Sequence, residues 1–315
     1  MTEADTKRVR LGVRRRRLST FPSPLSLLPP RLSVHPPTPE FLSLPEFLSR
    51  YPSTMPRAFS LGASFLLACG AARNPKRGFV GDGCVGATCA DFELLSRAGW
   101  YYAYNPPDPF STPSEPSTIH PEFVPMHWCT KGLANATIPE GTNATFLLGF
   151  NEPNNLHNCN LSPLEVAVAW ATVLKLWAGS SYLVSPATAG NGVPWLDAFF
   201  SNCTALYGPK GCQITHVAVH DYSCTAADTM AYLKTVHERY GMPVWLTEFS
   251  CGDGADHKPM ANQLAYMREV FPLLDAAPFV YRYAWMSAGS ALRGLVNGTA
   301  GAQTLTPVGE MYNSL

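Results

Sequence analysis

Short apolar runs alternate with longer helical patterns along the chain from residue 76 onward. Eight runs rich in β-branched and aromatic residues predict strands. Their bounds are 78–80, 99–105, 122–128, 144–152, 182–189, 214–222, 243–249 and 279–288. The runs are continuous rather than alternating, which is typical of parallel strands buried on both faces. The pattern therefore predicts a parallel sheet.

Helical patterns lie between these runs. They cover residues 90–98, 163–178, 194–201, 226–240 and 257–275. The clearest one follows Ser162, which can cap the helix, while Pro163 suits the first turn and Glu165 completes a capping box. Another ends before Gly241, a residue well suited to a helix C-terminus.

Eight strands alternating with helices over about 240 residues predict an α/β fold of the (β/α)8, or TIM barrel, type. We expect one domain over residues 76–315. A doubly wound open sheet is the alternative, but no glycine-rich phosphate loop follows any predicted strand. In a barrel the active site lies at the C-terminal ends of the strands, so the chemistry is expected there.

Polar side chains end several of these otherwise apolar strands. The fourth strand ends in Asn151 and Glu152, the sixth in His220 and Tyr222, and the seventh in Glu248. An ordinary polar turn is the alternative for the end of the fourth strand. Two glutamates at the ends of buried strands are hard to explain as core residues, because isolated carboxylates are costly to bury.

Cleavage of a glycosidic bond requires one carboxyl group to protonate the leaving oxygen and a second to attack or to activate water. Glu152 and Glu248 can supply this pair. We expect burial and the charge of Glu248 to keep Glu152 protonated. Asn151 could hold a sugar hydroxyl, and Tyr222 could orient the attacking carboxylate.

Aromatic side chains suggest where a sugar would lie. Trp128 and Trp285, near the ends of the third and eighth strands, are candidate stacking surfaces, and Tyr102 is a candidate cleft residue on the second strand. His220 either contacts the substrate or is a satisfied core histidine. We expect no metal and no cofactor, since no second ligand has suitable sequence spacing from His220.

Six sequence strings carry a family resemblance: "FVPMHW", "LLGFNEP", "HDY", "PVWLTEF", "YAWMS" and "LTPVGEMYN". In order and spacing, residues 76–313 resemble glycoside hydrolase family 128, the glycosyl-hydrolase catalytic core of endo-β-1,3-glucanases. The resemblance implies that Glu152 is the general acid/base and Glu248 the nucleophile. The first strand, "KRGFVGDG", and the aspartate of "HDY" depart from the family pattern and leave the fine shape of the sugar subsites open.

The resemblance favours a retaining β-1,3-glucanase that binds glucan polysaccharide or oligosaccharide, most simply as a monomer. Another barrel glycosidase acting on mannan, xylan or β-1,4-glucan is one alternative. A wall-glucan-binding protein without turnover is another, although a pure binder has no need of both acids. Neither nucleic-acid binding nor stable membrane insertion is expected.

The first 58 residues differ in composition from the rest, with ten Lys or Arg against four Asp or Glu. No nucleic-acid motif accompanies this basic excess. Residues 55–72 combine Arg57, a short apolar run and small residues, the layout of a secretory signal peptide. We therefore expect residues 1–54 to be a disordered or incorrectly annotated extension and the protein to be secreted or in the cell wall. A mitochondrial presequence is the alternative.

Cysteines and glycosylation sequons agree with export. Removing the signal peptide with Cys69 leaves eight cysteines, an even number that suits an oxidising compartment. Short loops and adjacent strand ends predict the bonds Cys84–Cys89, Cys129–Cys159, Cys203–Cys212 and Cys224–Cys251. A zinc site at Cys84 and Cys89 is the alternative for the first pair. Candidate glycosylation sites are Asn135, Asn143, Asn160, Asn202 and Asn297.

Overall fold

The computed structural model describes residues 72–81, 94–104, 121–135, 145–176, 182–253, 256, 258–286, 294–298 and 302–315. The predicted extension 1–54 and all but the last residue of the predicted signal peptide lie outside these ranges. The predicted Cys84–Cys89 bond and the sequon at Asn143 also lie outside them.

Eight parallel strands form one curved sheet, in the order β3-β2-β1-β8-β7-β6-β5-β4. Their bounds are β1 Asn74–Val80, β2 Ala98–Tyr102, β3 Glu122–Phe123, β4 Phe146–Leu147, β5 Tyr182–Val184, β6 Ile214–Asp221, β7 Val244–Phe249 and β8 Val280–Trp285. The prediction of an α/β fold with eight parallel strands is confirmed. A separate antiparallel pair follows, β9 Val296–Asn297 and β10 Thr304–Leu305.

The edge strands β3 and β4 are joined by contacts beyond their regular segments. Met126 and Leu148 form a parallel bridge, the Leu148 N–H donates to the Pro125 carbonyl at 2.9 Å, and the Asn151 N–H donates to the Trp128 carbonyl at 2.8 Å. These bonds link the two ends of the curved sheet, which is consistent with a (β/α)8-type barrel. Both strands are regular for only two residues, so the predictions 122–128 and 144–152 overestimate them.

Five α-helices lie wholly within the described residues. They are α1 Pro163–Leu176, α2 Val193–Tyr207, α3 Ala226–Tyr240, α4 Met260–Ala276 and α5 Pro307–Ser314. The predicted capping box forms, because the Ser162 N–H donates to Glu165 Oε2 at 2.8 Å. Gly241 ends α3 with φ 64°, as predicted. The predicted helix 90–98 is wrong at its end, since Ala98 begins β2 and Gly99 lies against the Asn74 backbone, where no side chain would fit.

Aromatic rings fill the inside of the curved sheet. Trp100 and Trp245 meet edge to face with their centroids 4.9 Å apart, and the Arg282 guanidinium lies 5.0 Å from the Trp245 ring. Arg282 also pairs with Glu122 on β3. A second apolar layer lies between the sheet and the helices. These large buried side chains thus fill the interior of the curved sheet. The C-terminal ends of the strands remain available for functional residues.

Three of the predicted disulfides are confirmed. Cys129–Cys159, Cys203–Cys212 and Cys224–Cys251 join residues whose Cα atoms are 5.5, 5.2 and 4.1 Å apart. The first connects the segment after β3 to the loop after β4, and the third connects the ends of β6 and β7. Both therefore stabilise loops at the C-terminal ends of the strands.

None of the helices in the described part of the chain is both long and apolar enough to cross a membrane.

Arg77 on β1 connects four elements. Its side chain is fully buried and donates to the Tyr312 carbonyl at 2.7 Å, to Asp275 Oδ2 at 3.1 Å and to the Tyr283 hydroxyl at 3.1 Å. The guanidinium also lies 4.7 Å from the centre of the Phe271 ring. Arg77 thereby attaches α4 and α5 to the first and last strands of the sheet.

We expect Arg77→Met to lower the free energy of unfolding by about 3 kcal/mol, because it leaves a buried carbonyl and a carboxylate without their donor. Urea denaturation measures this difference. Lys234→Met is the control, since Lys234 pairs with Glu238 on the exposed face of α3 and exposed pairs contribute little. Equal losses in the two variants would contradict the role assigned to Arg77.

Candidate active site

The C-terminal ends of the strands surround a cleft of about 720 Å³. Glu152 follows β4, Glu248 lies in β7, and Tyr222 follows β6, and all three line the cleft. Residues far apart in the chain meet here because the C-terminal ends of parallel strands all lie at the same end of the sheet. The predicted pair of glutamates is therefore brought together.

Glu152 has an unusual backbone conformation. Its φ is 41°, in the left-handed region that non-glycine residues rarely occupy. The Glu152 N–H donates to the Ala187 carbonyl at 2.8 Å, and the Asn154 amide makes two bonds to the Ala189 backbone, at 2.8 and 2.9 Å. The bond to Ala187 fixes the Glu152 backbone in a conformation that costs about 1 kcal/mol or more, and the Glu152 side chain lines the cleft.

Three side chains donate to the Glu152 carboxylate. His220 Nδ1 lies 2.8 Å from Oε1, Asn155 Nδ2 lies 2.7 Å from Oε2, and Asn158 Nδ2 bonds the same Oε2. Burial raises the pKa of Glu152, but His220 and the two amides outweigh it, so the pKa is lowered. These contacts thus favour the carboxylate, contrary to the expectation that Glu152 is kept protonated.

Three tyrosine hydroxyls surround the Glu248 carboxylate. Tyr104 donates to Oε1 at 2.5 Å, Tyr222 to Oε2 at 2.7 Å, and Tyr102 lies 3.3 Å from Oε1. Burial and then the charge of Glu248 raise the pKa of Tyr104 well above its usual value, so its hydroxyl remains a donor. Glu248 is therefore fixed in one orientation.

His220 lies between the two carboxylates. Its Nδ1 is 2.8 Å from Glu152 Oε1 and 3.3 Å from Glu248 Oε2, and its side chain is fully buried. Burial lowers the pKa of His220, but the charges of Glu248 and Glu152 outweigh it and the pKa is raised. One oxygen or nitrogen atom from each of the three residues lies within 4.8 Å of the others. Sequence spacing gave no indication of this set.

A comparison with known families identifies the chain. Residues 85–312 match the model of the glycosyl hydrolase catalytic core. The chain belongs to this family. It is a glycoside hydrolase, and the resemblance to family 128 is confirmed.

Solved structures of family 128 enzymes share the fold. An endo-β-1,3-glucanase of subgroup II from Pseudomonas viridiflava is 26% identical, with a TM-score of 0.63 over 77% of this chain and 98% of its own. An exo-β-1,3-glucanase of subgroup V from Cryptococcus neoformans is also 26% identical, with a TM-score of 0.62 over 75% of this chain and 97% of its own.

A curated relative is alkali-sensitive linkage protein 1 of Schizosaccharomyces pombe. It is 31% identical over 185 residues, which are 55% of this chain and 33% of that protein. The chain thus spans about a third of the length of this relative.

The residues predicted to bind substrate in this glycoside hydrolase lie in two different places, some on the wall of the cleft and others buried inside the protein. Asn151 and Trp128 line the cleft together with Tyr222. Asn151 Oδ1 is buried and has no hydrogen-bond partner among the described residues. Tyr102 is fully buried and reaches Glu248 from inside the sheet.

Trp285 does not lie at the cleft, which corrects the prediction of a stacking surface there. Its side chain is fully buried, and its ring packs 5.2 Å from Phe249 and 6.0 Å from Phe271 of α4. Successive side chains of a strand point to opposite faces. Trp285, the last residue of β8, lies on the face that packs against the helices.

Sequence reasoning missed Tyr104, Asn155 and Asn158. Tyr104 could have been found, because it lies two residues beyond Tyr102, so the alternation of an extended chain puts both on one side. The two asparagines lie on a turn after Glu152, where no periodicity indicates which side chains point inward.

We expect Tyr104→Phe to reduce kcat about 10-fold to 100-fold, because it removes a hydrogen bond to a charged carboxylate worth about 1.5–3 kcal/mol. Steady-state hydrolysis and a thermal melt would be measured together. Tyr207→Phe is the control, since the Tyr207 hydroxyl bonds backbone carbonyls of α1. Full activity in Tyr104→Phe would contradict a role for this hydroxyl in orienting Glu248.

Proposed function

We propose that this glycoside hydrolase cleaves β-1,3-glucan by a double displacement that retains the anomeric configuration. The observation that carries the proposal is the closeness of the two carboxylates, which share His220 Nδ1 and have oxygens within 4.8 Å of each other. Retaining enzymes place their carboxyl groups roughly 5–5.5 Å apart, and inverting enzymes roughly 6.5–9.5 Å. The closeness of the two carboxylates therefore favours the retaining class.

Glu248 is the nucleophile in this proposal. It attacks the anomeric carbon while the bond to the leaving oxygen breaks, and the product of the step is a covalent glycosyl ester. The hydroxyls of Tyr104 and Tyr222 hold its two oxygens and can only donate to them. Such donors fix the direction of attack and stabilise the carboxylate when it leaves again in the second step.

Glu152 is the acid and then the base. It gives a proton to the leaving oxygen in the first step and takes one from water in the second. Its carboxylate form in the empty cleft suits the second step, so the first step requires a change around Glu152 once substrate is bound.

The choice of β-1,3-glucan rests on family 128. An endo-β-1,3-glucanase from Amycolatopsis mediterranei, 27% identical to this chain, was crystallised with laminaritriose, and a mutant of that enzyme with laminarihexaose. In this chain, the buried Oδ1 of Asn151 can accept a bond from a sugar hydroxyl and Trp128 can stack on a ring. Endo action is proposed, although family members include an exo-acting enzyme.

Export to the cell surface or wall is part of the proposal. Three disulfides favour an oxidising compartment. The sequons at Asn135, Asn160 and Asn297 are exposed and thus accessible to glycosylation.

We expect the first product released from laminarihexaose to have the same anomeric configuration as the bond cleaved. Proton NMR within the first minutes, before mutarotation, measures this. Hydrolysis of β-1,3-glucan but not of mannan, xylan or β-1,4-glucan would support the substrate class. The inverted anomer would rule out Glu248 as nucleophile.

We expect Glu248→Gln to reduce turnover by at least about 10⁴-fold, because the amide cannot form the glycosyl ester. Binding of laminarihexaose, measured by calorimetry, should persist. Glu238→Gln on the exposed face of α3 is the control. Equal activity in the two glutamine variants would contradict the proposed mechanism, and a glucan-binding wild type without turnover would favour the binding-protein alternative.

A further inference from the structure

Asn155 and Asn158 lie on the turn after Glu152, and both line the cleft. Each donates its side-chain amide to the same oxygen, Glu152 Oε2. The Asn155 N–H also donates to the Glu152 carbonyl at 3.0 Å, and the Asn158 N–H to the Asn155 carbonyl at 3.1 Å. The turn therefore folds back over the carboxylate from which it starts.

A protonated Glu152 does not fit this arrangement. An amide NH2 group can only donate, so a proton on Oε2 would face two donors. A proton on Oε1 would face His220 Nδ1 at 2.8 Å, and that nitrogen would first have to give up its own proton. Every contact around Glu152 thus favours the charged form.

The orientation of the Asn155 amide is fixed independently. The His157 N–H donates to Asn155 Oδ1 at 3.0 Å, so a flip that turned Oδ1 towards Glu152 would break this bond. Asn158 precedes Cys159, which is bonded to Cys129. The orientation of the Asn155 amide is thus set within the turn, and Asn158 lies next to a disulfide that anchors the end of the turn.

The side of Glu152 facing His220 is held in place, because His220 is fully buried and β6 pairs with a strand on each side. The turn carrying Asn155 and Asn158 is half-buried and borders the cleft. A leaving glycosidic oxygen must reach an oxygen of Glu152 that carries a proton. Oε2, on the cleft side, is the oxygen it can reach once the amides have moved.

We propose that Asn155 and Asn158 form an amide clamp on Glu152 Oε2, which holds the empty enzyme in the carboxylate form and which bound glucan must displace before Glu152 can act as an acid. Once the amides move, Oε2 can take a proton from solvent and pass it to the leaving oxygen. This inference rests on the proposed function. It makes the two asparagines positioning residues, since they act through Glu152.

Other charged and titratable groups also act on Glu152. Glu248 and His220 lie within the same buried set, and Asp253 and His157 line the cleft. A test must therefore hold these groups constant and change only the donors. Asn154 provides the matched control, because it belongs to the same turn and its amide bonds the Ala189 backbone instead of Glu152.

The first test titrates Glu152 directly in the free full-length protein, by NMR of ¹³C-carboxyl-labelled glutamate. The Glu152 resonance is the one missing in Glu152→Gln. We expect its midpoint to rise by about one pH unit in Asn155→Ala and Asn158→Ala, and further in the double variant, because donors to a carboxylate lower its pKa. Asn154→Ala should leave the midpoint unchanged. Thermal melts confirm that each variant is folded.

If the double variant does not fold, Asn155→Asp keeps the acceptor for the His157 N–H, removes the donor to Glu152 and adds a negative charge. Asn154→Asp then adds the same charge to the same turn as its control. An unchanged Glu152 midpoint in folded variants, or an equal rise in the Asn154 variant, would overturn the clamp.

The second test follows hydrolysis of laminarihexaose against pH. We expect the basic limb of kcat/KM to move up by about one unit in Asn155→Ala and to stay in place in Asn154→Ala. A basic limb of kcat/KM that does not move in Asn155→Ala would refute the clamp in the free enzyme, and a basic limb of kcat that moves as far as that of kcat/KM would refute displacement of the clamp by substrate. A rise of the NMR midpoint in a protein that cleaves no glucan would support the clamp on Glu152 and refute the proposed glucanase function, so the two failures are distinguishable.

Discussion

The site depends on two buried carboxylates held within 4.8 Å of each other. Like charges at that distance in a region of low dielectric repel strongly, so they require a compensating cation and donors. His220 lies between them, and both carboxylates raise its pKa, which favours its cationic form. Tyr104, Tyr222 and the asparagine amides supply the donors. The proton shared among these groups belongs to the set rather than to any one residue.

The fold brings this set together by topology. Because the strands are parallel, the C-terminal ends of β4, β6 and β7 lie together at one end of the sheet. Side chains on the inner face of the curved sheet pack against the residues at these ends. Tyr102 is the clearest example, since it is buried and bonds both the Thr247 carbonyl and Glu248. The disulfides Cys129–Cys159 and Cys224–Cys251 connect the loops that follow these strand ends. A change inside the sheet is therefore expected to affect the orientation of Glu248 as well as stability.

Family 128 contains both endo-acting and exo-acting enzymes on one fold. Loops are where such enzymes can differ, because the strand ends supply the chemistry. In this chain the turn from Pro153 to Asn158 is such a loop: its amides contact Glu152, and Leu156 on the same turn is largely exposed. Because this turn borders the cleft and contacts Glu152, it would link substrate binding to proton transfer in the proposed mechanism.

Sequence alone determined the class of fold, the two glutamates and three disulfides. These follow from local patterns, since hydrophobic runs mark strands and an acid that ends a buried strand is too costly to be core. Sequence could not determine that Trp285 faces the helices, because β8 is buried on both faces and its apolar residues do not indicate which face each one occupies. It also could not determine the charge state of Glu152. That depends on His220, 68 residues away in the chain, and on a turn whose geometry has no periodicity, so only tertiary structure sets the field that the carboxylate experiences.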